Sequence, residues 1–261
     1  MTRPFISTVT LAIAAACFSA RQAADAQDTA VRVLASNGIK AALEELEPQC
    51  ARAIGHPLAL QFSSTAALKK KIEAGEKFDV TVISAEAIAD LIQQGKLAGE
   101  SRTALARSEL GIGIRAKAAR PDIHTSAALK QTLLDAKSIT YPQDGATRSH
   151  IEKTFSDLGI TGNLKPKIIL APSSGAATGS VASGQAALVI TLFSEIVPVA
   201  GVEILGPLPS EYRDEVRFQA AISTAAQNVE PGKRLIAFLA GPKAAPIYKA
   251  KGLDPAGHTG N

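Results

Sequence analysis

Short apolar runs alternate along this chain with polar turns and helically spaced apolar residues. Val31 to Ala35 (VRVLA) predicts a strand that ends at Ser36-Asn37-Gly38, and Ile39, Ala42, Leu43 and Leu46 then mark one face of a helix. Leu58 to Phe62 predicts a second strand, closed by Ser63-Ser64-Thr65 before a helix carrying Leu68 and Ile72. Phe78 to Ile83 predicts a third, ending at Ser84-Ala85-Glu86 before Ile88, Leu91 and Ile92. Three such units in a row predict a parallel-type sheet with helices on both faces, where ligands bind beyond the carboxyl ends of the strands. Those ends carry Ser36, Asn37, Ser64 and Thr65, all small hydrogen-bonding residues. Each could cap the helix that follows it, or face a ligand.

From Leu110 (LGIGIR, alternating Gly and Ile and ending at Arg115) the pattern starts afresh. A helix is predicted over 127–134. The segment 138–160 then reads as a strand through Tyr141, a turn through Pro142, Asp144, Gly145, Ala146 and Thr147, and a helix with Ile151, Phe155 and Leu158 stopping at Gly159. Free N–H groups and the positive end of the helix dipole attract an anion at such a helix start. Arg148 and His150 stand there, beyond what a plain cap needs. Strands are further predicted at 167–170, 187–191, 202–205 and 218–223, with helices at 175–183, 232–239 and 242–250. Glu195, after the 187–191 strand, reads as a charge at a helix N-terminus, with an acid–base group as the other reading.

The N-terminus is a different object. Arg3, an apolar run from Val9 to Phe18 and the small residues of Ala24-Asp25-Ala26 match a cleavable secretory signal over residues 1–26, which implies a periplasmic mature protein. The mature part holds no apolar run long enough to span a membrane. Losing Arg3, Arg21 and Asp25 takes one charge off the formal +4. That mild, dispersed excess favours small anions and excludes nucleic acid as a partner. Of two cysteines only Cys50 lies in the mature part, and the four histidines are scattered, so no metal site and no disulfide is expected.

The signal peptide, the turn ASNG, the stretch FSSTAALKKKIEAGEKFDVTVIS, the Pro142–Gly159 segment, ALVIT and FLAGPKAAPIYKAKGL together resemble the periplasmic molybdate-binding family of ABC-transporter solute receptors. The resemblance covers almost the whole mature chain. It implies the type II periplasmic-binding fold, an α/β architecture of two lobes joined by two crossover strands and closing on a small ligand. The expected lobes are residues 27–107 with 216–261, and 108–215. It also implies a monomer without cofactor, a small anion as ligand and an ABC permease as partner. Ser36, Asn37, Ser64, Thr65 and Thr147 are the expected ligand contacts, with Arg148 and Arg115 as candidate cations. Leu192 or Phe193 stands where many molybdate binders carry a tyrosine. Because a guanidinium fork matches a carboxylate, Arg148 shifts the expected ligand from an oxyanion to an organic carboxylate. One branch resembling the family is that of the aconitate isomerases, which move a proton along an allylic system. In that alternative His150 is the candidate base and Tyr141 a second proton carrier.

Overall fold

The computed structural model describes residues 30–257. The expected signal segment and His258 lie outside them. Two mixed sheets share one long strand. In the first, β1 (Val31–Ser36), β2 (Leu58–Ser63) and β3 (Val80–Ser84) run parallel in the order β2-β1-β3, and β9 (Glu215–Ile222) joins antiparallel beside β3. The shared strand is β4 (Thr103–Arg115): residues from Thr103 to Glu109 pair with β9, and those from Leu110 to Arg115 enter the second sheet. There β7 (Leu188–Leu192) and β8 (Val202–Pro207) flank β4, and β5 (Ile139–Pro142) and β6 (Ile168–Ala171) continue in parallel beyond β7. A two-residue β10 (Asp254–Pro255) pairs with the first half of β4. The chain returns to the first sheet beside the crossover, where the Leu110 N–H donates to the Asp214 carbonyl at 2.8 Å.

The inner strands β3, β5 and β7 are buried on both faces, as near-continuous apolar strands require, whereas β6 leaves Ile169 and Leu170 exposed. Helix α1 (Lys40–Ile54), α9 (Val229–Leu239) and α10 (Ala245–Ala250) cover one face of the first sheet, packing Leu46, Leu235 and Tyr248. Helices α2 (Thr65–Glu73) and α3 (Ala85–Gln93) cover the other with Leu68, Ile72, Ile88 and Leu91. In the second lobe α4 (Ser126–Asp135), α5 (Arg148–Asp157) and α6 (Thr161–Leu164) pack on one face. The small-residue helix α7 (Ser174–Ala182) and the single turn α8 (Phe193–Ile196) pack on the other. This is the two-lobed type II architecture.

The Gly-Ile alternation of LGIGIR has its reason here. Ile112 and Ile114 point into the core under α4 and α5, and the glycines face α8. A Cβ on Gly111 would overlap the Phe193 ring and lie 2.6 Å from the Gly206 carbonyl oxygen. Helix α1 runs through Pro48, which the apolar pattern alone did not carry past Leu46. Pro48 and Glu44, the residue whose carbonyl loses its donor, are both exposed, so the break in the helix ladder lies on its solvent side.

One buried carboxylate ties the first lobe together. Asp79 is fully buried and accepts from the N–H groups of Arg32, Gln227 and Asn228, each at 2.9 Å, and from the Asn228 amide at 3.2 Å. Burial on its own would raise this carboxyl; the donors outweigh it and hold it below the usual carboxylate range.

Candidate functional site

The carboxyl ends of β1, β2, β5 and β6 open on one cavity of about 340 Å³ between the lobes. The first lobe contributes Ser36 and Asn37 after β1, and Ser63, Ser64 and Thr65 after β2. The second contributes the turn from Asp144 to Thr147 after β5 and Ser173-Ser174 after β6. Phe62, Pro142, Leu192 and Phe218 supply apolar wall.

Local rules build each turn. Ser64 is extended and caps α2, accepting from the Ala67 N–H at 3.2 Å, and Ser173 caps α7 in the same way through Ala176 at 3.2 Å. Ser36 accepts from the Gly38 N–H at 3.4 Å and from the Thr65 hydroxyl at 3.3 Å, which locks the two first-lobe turns to each other. At α5 the cap is different: Thr147 sits in the αR region and makes no side-chain capping bond. Three helices of nine or ten residues thus start at the cavity rim, two from one lobe and one from the other. Their first-turn N–H groups and dipoles favour negative charge there.

No lysine, arginine or histidine lines the cavity among the described residues; its ionisable groups are Asp144 and Glu195. Glu195, in the single turn after β7, takes a hydrogen bond from the Thr191 hydroxyl and another from that of Ser174. Burial pushes its carboxyl above the ordinary glutamate value, although these donors pull the other way.

The expected residues divide by geometry. Ser36, Asn37, Ser64, Thr65 and Thr147 come together in the lining. Arg148, His150, Tyr141 and Arg115 do not. Arg148 opens α5 and turns outward: its Nε donates to Glu152 one turn on at 2.8 Å and its Nη1 to the Gln143 carbonyl at 2.8 Å. His150 faces the segment before β9, with Nε2 2.7 Å from the Tyr212 carbonyl and Nδ1 3.4 Å from Asp214. Tyr141 is buried edge-on to Phe155 with ring centres 6.1 Å apart. Its hydroxyl is 3.4 Å from Glu152, and burial pushes it up to about 12. Arg115, at the far end of β4, packs against Gly184. Sequence reasoning passed over Ser173 and Ser174, although a serine pair between a strand and a helix repeats the signal of Ser63-Ser64. It placed Glu195 at a helix N-terminus first, with an acid–base role as the other reading.

Two α/β lobes that meet on a polar cleft, bridged by crossover strands, are the architecture of the solute-binding proteins. The chain belongs to the bacterial extracellular solute-binding protein family, which it matches over residues 31–254. Among curated relatives it is 29% identical over 235 residues to an aconitate isomerase of Pseudomonas sp, an alignment covering 87% of this chain and 88% of that protein. It is 25% identical over 233 residues to the molybdate-binding protein ModA of Azotobacter vinelandii, covering 87% and 90%. The solved structure of the Azotobacter vinelandii periplasmic molybdate-binding protein superposes with a TM-score of 0.72 at 24% identity, over 85% of this chain and 98% of that one.

Proposed function

We propose that this protein is a periplasmic receptor that delivers a small organic anion, a carboxylate, to an ABC-type permease. Ser36, Asn37, Ser64, Thr65 and Thr147 hold the anion, joined by backbone N–H groups at the starts of α2, α5 and α7. One observation carries the reading: hydroxyl-rich turns and helix N-termini from both lobes converge on a cavity that no basic side chain lines among the described residues. Neutral donors suit a ligand that must be both held and released, since no fixed ion pair has to be broken. The open cleft has room for an organic anion larger than a tetrahedral one. At ~30 Å³ per molecule the cavity matches about eleven waters. A five-atom oxyanion leaves much of that space unfilled. The preference for a carboxylate therefore rests on volume; the Arg148 guanidinium is engaged outside the lining.

A thermal-shift panel of oxyanions and carboxylates tests this. A ligand at 100 times its Kd stabilises by roughly 2.7 kcal/mol, which is about 5–10 °C for a chain of this size. No shift with any anion sinks the reading.

A second reading, an isomerase using the same cleft, is supported by Glu195 in the lining and by the aconitate isomerase relative. A base removes a proton from a carbon beside a carboxylate, the electron pair moves through the allylic system, and a proton returns at the far carbon, so nothing is gained or lost. Glu195 replaces His150 in that role, because the imidazole is engaged elsewhere. Incubation with trans-aconitate decides: appearance of the cis isomer by NMR, abolished in Glu195→Gln and retained in His150→Ala, makes the protein an enzyme. Binding without conversion leaves the receptor.

A further inference from the structure

Behind the wall formed by Asn37, Ser173, Ser174 and Glu195 lies a second cavity of about 320 Å³, lined by those same four residues on its near side. The two spaces are therefore neighbours that share this part of their lining. On the far side stand Lys40 and Glu44 of the first turns of α1, and Ser194 of α8.

Two of these side chains are poised for an anionic group. Lys40 is the one basic residue in the lining of either cavity among the described residues. Its ammonium lies 5.7 Å above the ring of Phe62, itself a wall of the first cavity, and 3.6 Å from the Glu44 carboxylate. Both members of that i,i+4 pair are about half exposed, and such a pair is weak enough for the ammonium to turn toward a better partner. Ser194 is 4% exposed, and its hydroxyl has no hydrogen-bond partner among the described residues. Its N–H, in contrast, is satisfied by the Ser108 hydroxyl at 3.0 Å. Buried hydroxyls are rarely left without a partner. Glu195 lines both cavities; beyond it the first has, among the described residues, only the acidic Asp144, whereas the second adds Lys40 with its partner Glu44.

We propose that this second cavity is an anion subsite in which Lys40 and the Ser194 hydroxyl hold the second acidic group of the ligand, so that the protein selects organic anions with at least two carboxylates. The subsite rests on the cleft reading above, since the first carboxylate occupies the hydroxyl-lined turns.

Calorimetric titration of the native full-length mature protein with butyrate, molybdate, glutarate and tricarballylate tests it, repeated in Lys40→Gln, Glu44→Gln and Ser194→Ala. Lys40 and Glu44 are surface positions, so these variants fold. The expected result is that glutarate and tricarballylate bind more tightly than butyrate, that Lys40→Gln weakens them about tenfold, and that Glu44→Gln tightens them. Butyrate and molybdate, each with one anionic centre, stay unchanged in both. Equal weakening of all four anions by Lys40→Gln would mean a long-range field only and overturns the subsite. Molybdate or butyrate binding with no advantage for glutarate also overturns it and leaves the cleft reading intact. Binding of none of the four overturns both.

Discussion

Glu195 should make ligand affinity in the cleft fall as pH rises. Burial raises its carboxyl, so the folded protein keeps this proton at a pH where an exposed glutamate, near 4.3, has lost it. While protonated, Glu195 is a neutral wall beside a bound anion. As pH rises through the raised value it becomes a second negative charge in a cavity that no cation lines among the described residues. At a separation of about 6 Å and an effective dielectric of about 20, the repulsion is roughly 3 kcal/mol. That corresponds to a factor of about one hundred in Kd. Screening at the mouth of the cleft trims it. The chain has no tryptophan, so calorimetry from about pH 5 to pH 9 is the suitable assay, with a ligand fully ionised throughout. Affinity should fall with rising pH in the native protein and stay level and high in Glu195→Gln. The same linkage makes the native fold lose stability as pH rises through the raised value, so Glu195→Gln should also melt higher at neutral pH. A flat native profile, or an identical slope in the variant, refutes the reasoning.

Other perturbations separate binding from folding. Ser64→Ala and Ser84→Ala each remove a helix cap and should each cost about 1 kcal/mol in denaturant titrations, but only Ser64 lines the cavity, so only Ser64→Ala should also weaken ligand binding. Gly111→Ala should destabilise by about 1–3 kcal/mol, because the Gly206 backbone oxygen that its Cβ meets cannot move aside; an unchanged midpoint would contradict the packing of α8 on β4. Asp79→Asn should cost about 3 kcal/mol at neutral pH by urea unfolding, since an amide oxygen cannot replace two acceptor oxygens. The native carboxyl is held low, so its contribution is present above the unfolded value near 3.9 and is lost as pH falls through the depressed one, and the variant should show a shallower acid transition.

Much of this protein is legible in one dimension because the decisive interactions are local. Strand and helix periodicity, serine at the end of a strand and glycine after a helix act over a few residues. They marked the α/β class and the cleft-side turns at Ser36, Ser64 and Thr147. Even the unnoticed Ser173-Ser174 follows the same local rule. The Gly-Ile run likewise announced a strand, but only the approach of Phe193 and Gly206 explains its glycines.

What tertiary structure decided is where charged side chains point, and that is set by partners distant in the chain. Arg148 and His150 look like cleft residues in sequence because they stand at a helix start aimed at a ligand. In three dimensions Glu152 and Gln143 draw the arginine outward, while Tyr212 and Asp214, more than sixty residues away, take the histidine. Ser84 ends β3 as Ser64 follows β2, yet β9 returns antiparallel beside it with Phe218 in register and closes that strand end. Glu195 came to line the cavity by the reverse route, a charge at a helix start until the two lobes met around it. Cys50 follows the same rule: the side chains packed around it bury the thiol and push it up to about 12, away from the thiolate form. Backbone pattern is a property of neighbours in sequence, and a binding site is a property of neighbours in space.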